Sequence, residues 1–96
     1  MKCVVLYHLK EAADQAKLAE LMARRAEYQF PTGMTLVAEC WTGNTRNCVV
    51  AIYDVDDPAT ALVNSVVWLD AFNIEVLPAT TWEEGLERIS KHLAGD

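Results

Sequence analysis

The sequence lacks most of the signals from which an activity is usually recognised. It has no Cys-x-x-Cys pair, no glycine-rich phosphate loop and no apolar run of the ~20 residues that a membrane-spanning helix needs. Acidic residues number 14 against 8 lysines and arginines, a net charge of -6, so the basic surface that nucleic acids and anionic membranes attract is missing. We therefore expect no nucleic-acid partner, no membrane partner, no metal and no cofactor.

Cysteine is scarce as well, with 3 residues in the chain. The run CVVLYHL is too short to span a bilayer and lacks the small-residue cleavage site of a secretion signal, so we expect a cytoplasmic protein with reduced thiols. In ECWTGNTRNC, a three-residue turn over 43–45 places Cys40 opposite Cys48, whereas a two- or four-residue turn makes Cys40 face Val49. We interpret all three cysteines as buried reduced thiols, with a redox role for Cys40 and Cys48 as the alternative.

What the chain does contain is a regular succession of strand and helix patterns. Its 96 residues, 52% of them hydrophobic, form a single domain over 1–96 that can bury a core without staples. Strand patterns occur in KCVVLYHLK, MTLVAECW, NCVVAIYDV and FNIEVLPA, and helical patterns in 11–28, DVDDPATALVNSVVWLD and TTWEEGLERISKHL. The order β-α-β-β-α-β-α predicts an α+β, ferredoxin-like fold with an antiparallel 4-1-3-2 sheet and an extra C-terminal helix.

The helices carry recognisable start signals. Asp57 is a predicted N-cap followed by Pro58, and Thr81 with Glu84 is a predicted capping box. Trp68 and Trp82 are predicted to lie in the core. The last helix has an apolar stripe, which leads us to expect that it packs on the helix layer or reaches over a partner chain; the stripe consists of Trp82, Leu86, Ile89 and Leu93.

Alternation along the strands assigns residues to the two faces of the sheet. The predicted core face carries Cys3, Val5, Tyr7, Leu9, Met34, Leu36, Ala38, Cys40, Cys48, Val50, Ile52, Phe72, Ile74 and Val76. The second face is also largely apolar and carries Val4, Leu6, Val37, Trp41, Val49, Tyr53 and Leu77. Because an open apolar patch of this size needs a cover, we expect a homodimer that pairs these second faces.

The second face also gathers the candidate site residues at one end of the predicted sheet. His8 and Glu75 form a predicted, partly buried proton-transferring pair, and the predicted substrate-binding residues are Glu39, Trp41, Asn47, Tyr53 and Asn73. The alternatives are structural: a solvated His8, a Glu75 paired with Arg46 or with a Lys or Arg across the dimer, and a Trp41 that anchors the interface. Nothing places His92 beside His8, so a metal site is not expected.

The segments DDPATAL, FNIEVLP and GMTLVAECW, together with Trp68 and the order of the elements, resemble the dimeric α+β barrel superfamily, and most closely one of its small families of unknown function. The resemblance implies two ferredoxin-like subunits that pair their sheets, often with a pocket in each subunit. Members include cofactor-independent monooxygenases, isomerases, decarboxylating or dehalogenating enzymes, and sensor domains. Such breadth means that the fold by itself assigns no activity.

Two hypotheses remain open at this point. In the first, the chain is a homodimeric cytoplasmic domain that binds a small molecule or a partner, with a pocket on the sheet face. In the second, it is a cofactor-independent enzyme of monooxygenase or isomerase type that uses His8 and Glu75. The sequence contains no nucleophile–base motif that would decide between them.

Overall fold

The computed structural model describes residues 1–12, 14–44 and 46–95. Its elements are β1 (Lys2–Leu9), α1 (Gln15–Glu27), β2 (Met34–Trp41), β3 (Val49–Val55), α2 (Pro58–Trp68), β4 (Phe72–Ala79) and α3 (Trp82–Leu93). The four strands form one antiparallel sheet in the order β2-β3-β1-β4. The predicted α+β, ferredoxin-like architecture and its 4-1-3-2 strand order are therefore confirmed.

Each helix begins at a side chain that caps the free backbone N–H groups of its first turn. Asp57 accepts hydrogen bonds at the start of α2, as predicted, and Thr81 accepts one from the Glu84 backbone at 3.2 Å. The predicted capping box is only half formed, because the Glu84 carboxylate accepts from Thr80 Oγ1 at 3.1 Å. The first helix starts only after Asp14, later than the predicted Glu11, because the Asp14 carboxylate caps it.

The core lies between the sheet and the helices α1 and α2, which both cover the same face. Leu21 of α1 and Trp68 of α2 are buried against the strands, so Trp68 is a core residue as predicted. From β1 and β4 the core receives the predicted residues Cys3, Val5, Tyr7 and Phe72. This covered face holds the cluster of aromatic rings in which the candidate site lies.

The third strand has the opposite orientation to the predicted one. Val49, Ala51, Tyr53 and Val55 are buried on the covered face, whereas the predicted core residues Val50 and Ile52 are half-buried on the other face. Both faces of β3 are apolar, so alternation of polarity carries no information about which one turns inward. This corrects the assignment of Tyr53, whose side chain lies on the face covered by the helices and not on the second face.

The second strand contains a β-bulge that divides it into two halves of opposite orientation. The pairing steps from Leu36–Tyr53 to Ala38–Ile52, so Val37 is an extra residue on β2. Glu39 therefore points toward the covered face together with Trp41, whereas Ala38 and Cys40 are exposed. The prediction that Ala38 and Cys40 lie in the core is wrong for this reason.

The loop between β2 and β3 is longer than the predicted three residues. Thr42 N donates to Cys48 O at 2.8 Å just beyond the last strand pair, and Cys40 pairs with Val50 instead of Cys48. The Asn44 carboxamide oxygen accepts from the backbone of two following residues, an Asx turn that widens the loop. Thr45, part of the predicted turn, lies outside the described residues.

All three cysteines are free thiols, and two of them are buried. Burial raises the pKa of the Cys3 and Cys48 thiols, which keeps them protonated and unreactive. Cys40 is exposed, contrary to prediction, because the bulge turns it outward. The arrangement provides no disulfide between Cys40 and Cys48.

The uncovered side of the sheet, called the open face below, is apolar over most of its area. Across its two central rows lie Leu77, Val4, Ile52, Ala38, Glu75, Leu6, Val50 and Cys40. Helices α1 and α2 cover the opposite side, and His8 continues the open face at one end. Most of these apolar side chains keep part of their surface in contact with solvent.

The third helix projects from the rest of the chain. None of its residues is buried, and Trp82 is 73% exposed, so the prediction of Trp82 as a core residue is wrong. The predicted apolar stripe is present, but its four side chains all face solvent. The projection contributes to an elongated outline of 55 × 28 × 17 Å. The alternative in which α3 packs on its own helix layer is not realised.

Candidate ligand-binding crevice

A narrow crevice opens between α1, α2 and the covered face of the sheet. Its walls are mainly aromatic, and its lining consists of Tyr7, Arg25, Tyr28, Phe30, Glu39, Trp41, Val49, Tyr53, Trp68 and Phe72. Its empty volume is about 280 Å³ when the open mouth is included, whereas the space that the centre of a water molecule can reach is about 20 Å³. The inner part therefore has room for about one water molecule.

An ion pair between α1 and β2 stands at the mouth of the crevice. Arg25 Nε lies 3.0 Å from both carboxylate oxygens of Glu39, and Trp41 Nε1 donates to Glu39 Oε2 at 2.7 Å. The Arg25 guanidinium also lies over the Phe30 ring, 4.8 Å from its centroid. The Glu39 side chain is only 12% exposed, so its charge is held close to the crevice instead of being dispersed in solvent.

The inner end of the crevice contains a chain of neutral hydrogen-bonding groups. Tyr28 Oη donates to the Asn64 carboxamide oxygen at 2.8 Å, and Asn64 Nδ2 donates to Tyr7 Oη at 3.1 Å. Tyr7 Oη in turn lies 3.0 Å from Tyr53 Oη. The chain crosses from α2 to β1 and β3, so it fixes the aromatic walls relative to the helix layer.

The phenols at the inner end are held in their neutral form. Burial raises the pKa of both Tyr7 and Tyr53 above the ordinary value of a tyrosine, and the negative charge of Glu39 raises it further. Both side chains are therefore protonated at neutral pH and can donate hydrogen bonds. They cannot act as bases there, so this end of the crevice is suited to binding and polarising a ligand rather than to removing a proton.

The structure divides the predicted site residues into two groups on opposite faces of the sheet. Glu39, Trp41 and Tyr53 line the crevice. His8 and Glu75 lie on the open face, because both belong to the outward phase of their strands. The bulge in β2 and the reversed orientation of β3 account for the separation. A single pocket that combines all the predicted residues is therefore not formed.

The remaining two predicted substrate-binding residues lie outside the crevice. Asn47 is exposed in the loop before β3, and Asn73 is exposed on β4, where it pairs with His8. Conversely, sequence reasoning did not select Arg25, Tyr28 and Asn64 as site residues. Two of these residues stand out in the sequence. Arg25 occupies a position in α1 where the helical spacing calls for an apolar residue, and Asn64 is a polar residue within the apolar run of α2.

His8 and Glu75 are neighbours, as predicted, although Glu75 is not buried. His8 Nε2 lies 3.3 Å from Glu75 Oε1, an ion-pair distance at an angle that makes no hydrogen bond, and Nε2 itself is shielded from solvent. His8 Nδ1 donates to the Arg46 backbone carbonyl, which fixes the ring orientation. The Glu75 side chain is 59% exposed, so the half-dry environment expected for this pair is absent in the single chain.

Two further features of the described residues bear on the classes of function. Over 1–12, 14–44 and 46–95, no group of three His, Cys, Asp or Glu side chains is arranged to hold a metal ion. In the same part of the chain, no helix has the length and apolarity required to cross a bilayer.

Comparison with known protein families identifies the family of this chain. The model of the DUF3303 family, a domain of unknown function, matches residues 1–93. The chain belongs to the DUF3303 family. The match spans all seven elements of the DUF3303 domain, including α3, so the projecting helix is part of the family's domain and not an appendage to it. No curated protein and no solved structure shows a significant match to the chain.

Proposed function

We propose that this domain is a homodimer in which each subunit binds a small organic molecule in the crevice. One observation carries the binding role: the crevice is left partly empty in a region where aromatic rings and hydrogen-bonding groups converge. Small-ligand sites are typically lined by aromatic side chains with a few convergent hydrogen-bonding groups, and the lining of this crevice has that composition.

The mouth supports the same proposal because a ligand can reach the interior without unfolding the core. Arg25 and Glu39 are joined through side chains only, and Arg25 retains 26% of its side-chain exposure. Long side chains on a helix surface change rotamer on the picosecond to nanosecond timescale when exposed. Opening this pair widens the gap while the Tyr–Asn chain at the inner end stays in place.

The homodimer is proposed from the open face and α3. Apolar side chains occupy most of both central rows of the open face, and the stripe on α3 is exposed, with Trp82 at 73% and Leu93 at 79%. A second copy of the chain covers the open face when its own sheet packs on it. The apolar stripe of α3 is covered when α3 reaches over that second copy. The three free thiols are consistent with the cytoplasmic location that forms part of this proposal.

Native mass spectrometry of the protein purified from cell extract tests both parts at once. We expect a dimer with added mass equal to one small organic molecule per subunit. A dimer of bare chains would remove the ligand and leave an interaction module, whereas a monomer would contradict the pairing of open faces.

A pair of matched variants locates the interface. Ile52→Glu places a charge between Val4 and Ala38 on the open face, and we expect it to convert the dimer to monomer. Leu62→Glu makes the same change on the outer side of α2, where Leu62 is exposed, and is expected to leave the dimer intact. Loss of the dimer in Leu62→Glu alone would place the interface on the helix layer.

The role of α3 has its own test. We expect Trp82→Ala to weaken the dimer, because the indole is the largest apolar group of the stripe, while the fold of the subunit is unchanged. Sedimentation across a concentration series measures the change. Full dimerisation and full thermal stability in this variant would rule out packing of α3 on a partner.

A second candidate is catalysis by His8 and Glu75, favoured by their 3.3 Å separation and by the fixed orientation of the His8 ring. In this version, the pair acts on the open face and becomes enclosed only when a second copy covers it. His8→Gln is then expected to abolish turnover of any molecule that co-purifies. Unchanged turnover in that variant would remove His8 from the reaction.

A further inference from the structure

The two buried phenols at the inner end of the crevice together have one more proton than their partners can accept. Tyr7 Oη already accepts a hydrogen bond from Asn64 Nδ2. If Tyr7 donates to Tyr53, the Tyr53 hydroxyl proton has no acceptor; if Tyr53 donates to Tyr7, the Tyr7 proton has none. Within the described part of the chain, no other hydrogen bond to either oxygen is present.

This unused proton lies in a place where it needs a partner. Tyr53 is 2% exposed and Tyr7 is 5% exposed, and both side chains line the crevice. A buried donor without an acceptor costs about 1–3 kcal/mol, so the site favours any molecule that brings an acceptor to it. The available space of about 20 Å³ admits a single water molecule, which such a ligand would replace.

The charge at the mouth restricts what kind of acceptor fits. The Glu39 carboxylate lines the crevice, is only 12% exposed and is paired with Arg25 at 3.0 Å. Arg25 binds this carboxylate through Nε, so the two charges offset each other and the lining of the crevice carries no net positive charge for an incoming anion. A carboxylate or phenolate ligand would therefore lose its hydration without a net positive charge to replace it, whereas a neutral oxygen would not carry this cost.

We infer that the ligand of the crevice is a neutral, ring-containing molecule whose carbonyl oxygen, or an equivalent acceptor, takes the unused proton of the Tyr7–Tyr53 pair; this inference rests on the binding role proposed above. Only the acceptor atom fits the present space, so the ring enters when the Arg25–Glu39 pair at the mouth opens. A flat ring then suits walls that present aromatic faces and edges, including Phe72, whose ring centroid lies 5.5 Å from that of Tyr7.

Three one-ring probes of similar shape test the inference on the full-length protein. Acetophenone carries a neutral carbonyl, α-methylstyrene replaces its oxygen with a methylene group, and benzoate carries an anionic acceptor. Dissociation constants and amide chemical-shift changes are measured by NMR titration. We expect acetophenone to bind about tenfold more tightly than α-methylstyrene, the value of one satisfied hydrogen bond, and benzoate to bind most weakly.

Tyrosine-to-phenylalanine variants provide matched controls. Either Tyr7→Phe or Tyr53→Phe still leaves one free phenol proton, so each single variant keeps a preference for acetophenone. The double variant removes both hydroxyls, and its preference is expected to fall to about one. Tyr28→Phe makes the same chemical change in the crevice wall, yet it leaves the Tyr7–Tyr53 pair intact and should retain the full preference.

The possible outcomes separate the inference from the proposed function. Equal binding of acetophenone and α-methylstyrene in the crevice, or tightest binding of benzoate, would overturn the ligand class while leaving a binding site. Shifts confined to the open face, or no binding of any probe, would overturn the crevice as a site and the inference with it. Because these comparisons use the wild-type protein, they stand even if the double variant does not fold.

Discussion

The two faces of the sheet are built from the same four strands and are similarly apolar, yet they differ in what surrounds them. On the covered face, Tyr53 and Phe72 are buried by α1 and α2, and the polar groups of Tyr7 and Asn64 are joined to one another. On the open face, apolar side chains of comparable size keep part of their surface in contact with solvent, and Glu75 is mostly exposed. Hydrophobicity alone therefore does not tell which face of this sheet is the core.

What distinguishes the faces is the helices that cover one of them. Asp57 and Thr81 start α2 and α3 equally well, but only α2 buries one side against the sheet, with Ala61, Asn64 and Trp68 among its buried residues. The larger aliphatic side chains of α2, including Leu62 and Val66, are exposed on its outer side. The stripe of α3 faces solvent as well. The open face, α3 and the outer side of α2 thus present three exposed apolar surfaces in one chain, which is the pattern expected of a subunit rather than of a monomer.

The largest difference between the two faces should appear in the cost of removing a large side chain. Phe72→Ala leaves a cavity against the Tyr7 and Trp68 rings and is expected to lower the free energy of unfolding by about 3–5 kcal/mol. Leu77→Ala on the open face, where Leu77 is 44% exposed, should cost clearly less at concentrations at which the chain is monomeric. Urea denaturation measures both, and equal losses would contradict the contrast.

The next largest effect concerns the polar chain of the covered face. Asn64→Leu deprives Tyr28 of its acceptor and Tyr7 of a donor, and we expect a loss of about 1–3 kcal/mol of unfolding free energy. Asn73→Leu makes the same exchange on an exposed position of β4 and should change stability by less than about 0.5 kcal/mol. A similar loss in both variants would mean that the chain of hydrogen bonds does not stabilise the fold.

Alkaline pH should destabilise the covered face selectively, because it holds the tyrosines. The pKa of Tyr7 and of Tyr53 is raised in the folded protein, so both contributions to stability are complete below the unfolded value of ~10 and are lost as pH rises above it. Each such tyrosine lowers the unfolding free energy by about 1.4 kcal/mol per pH unit in that range. Tyr53→Phe should reduce the slope measured by denaturation at several pH values; an unchanged slope would show that Tyr53 ionises while folded.

The smallest effect is expected at the rim of the helix layer. Arg24 donates to both carboxylate oxygens of Asp70, which lowers the pKa of that carboxyl. Its contribution is present above the unfolded pKa of ~3.9 and is lost as pH falls through the lower folded value. Because the pair is solvated, Asp70→Asn should cost only a few tenths of a kcal/mol at neutral pH. Thermal melts should show this difference vanish in acid; a difference that grew in acid would have the wrong sign.

The sequence predicted the orientation of a strand correctly where polar and apolar residues alternate along it without a bulge, and failed where they do not. Strand β1 and the Phe72 end of β4 were oriented correctly, and caps at Asp57 and Thr81 were recognisable from residue type. Strand β3 was oriented wrongly because it is apolar on both faces. The bulge at Val37 has no signature in residue type, since no glycine marks it, and it moved Glu39 from the predicted open-face site into the crevice.

Prediction of the candidate site residues was limited for the same reasons. Pairing of His8 with Glu75 followed correctly from the registers of β1 and β4. Arg25 and Asn64 were harder to recognise because their function depends on partners from distant elements, which no local pattern encodes. The position of α3 depends on surfaces beyond a single chain, so neither its exposure nor its partner could follow from its own periodicity.

The bulge at Val37 also shows how such a fold can change its specificity with little risk to its stability. If Val37 were instead paired in a regular ladder, the remainder of β2 would shift by one position, which would replace Glu39 and Trp41 at the mouth with Ala38 and Cys40. The charge and the aromatic wall would leave the crevice together, while the caps, the Tyr–Asn chain and the other strands would remain. The presence of a bulge at one strand position, and not only side-chain substitution, is therefore a route by which relatives of this domain can diverge in what they admit.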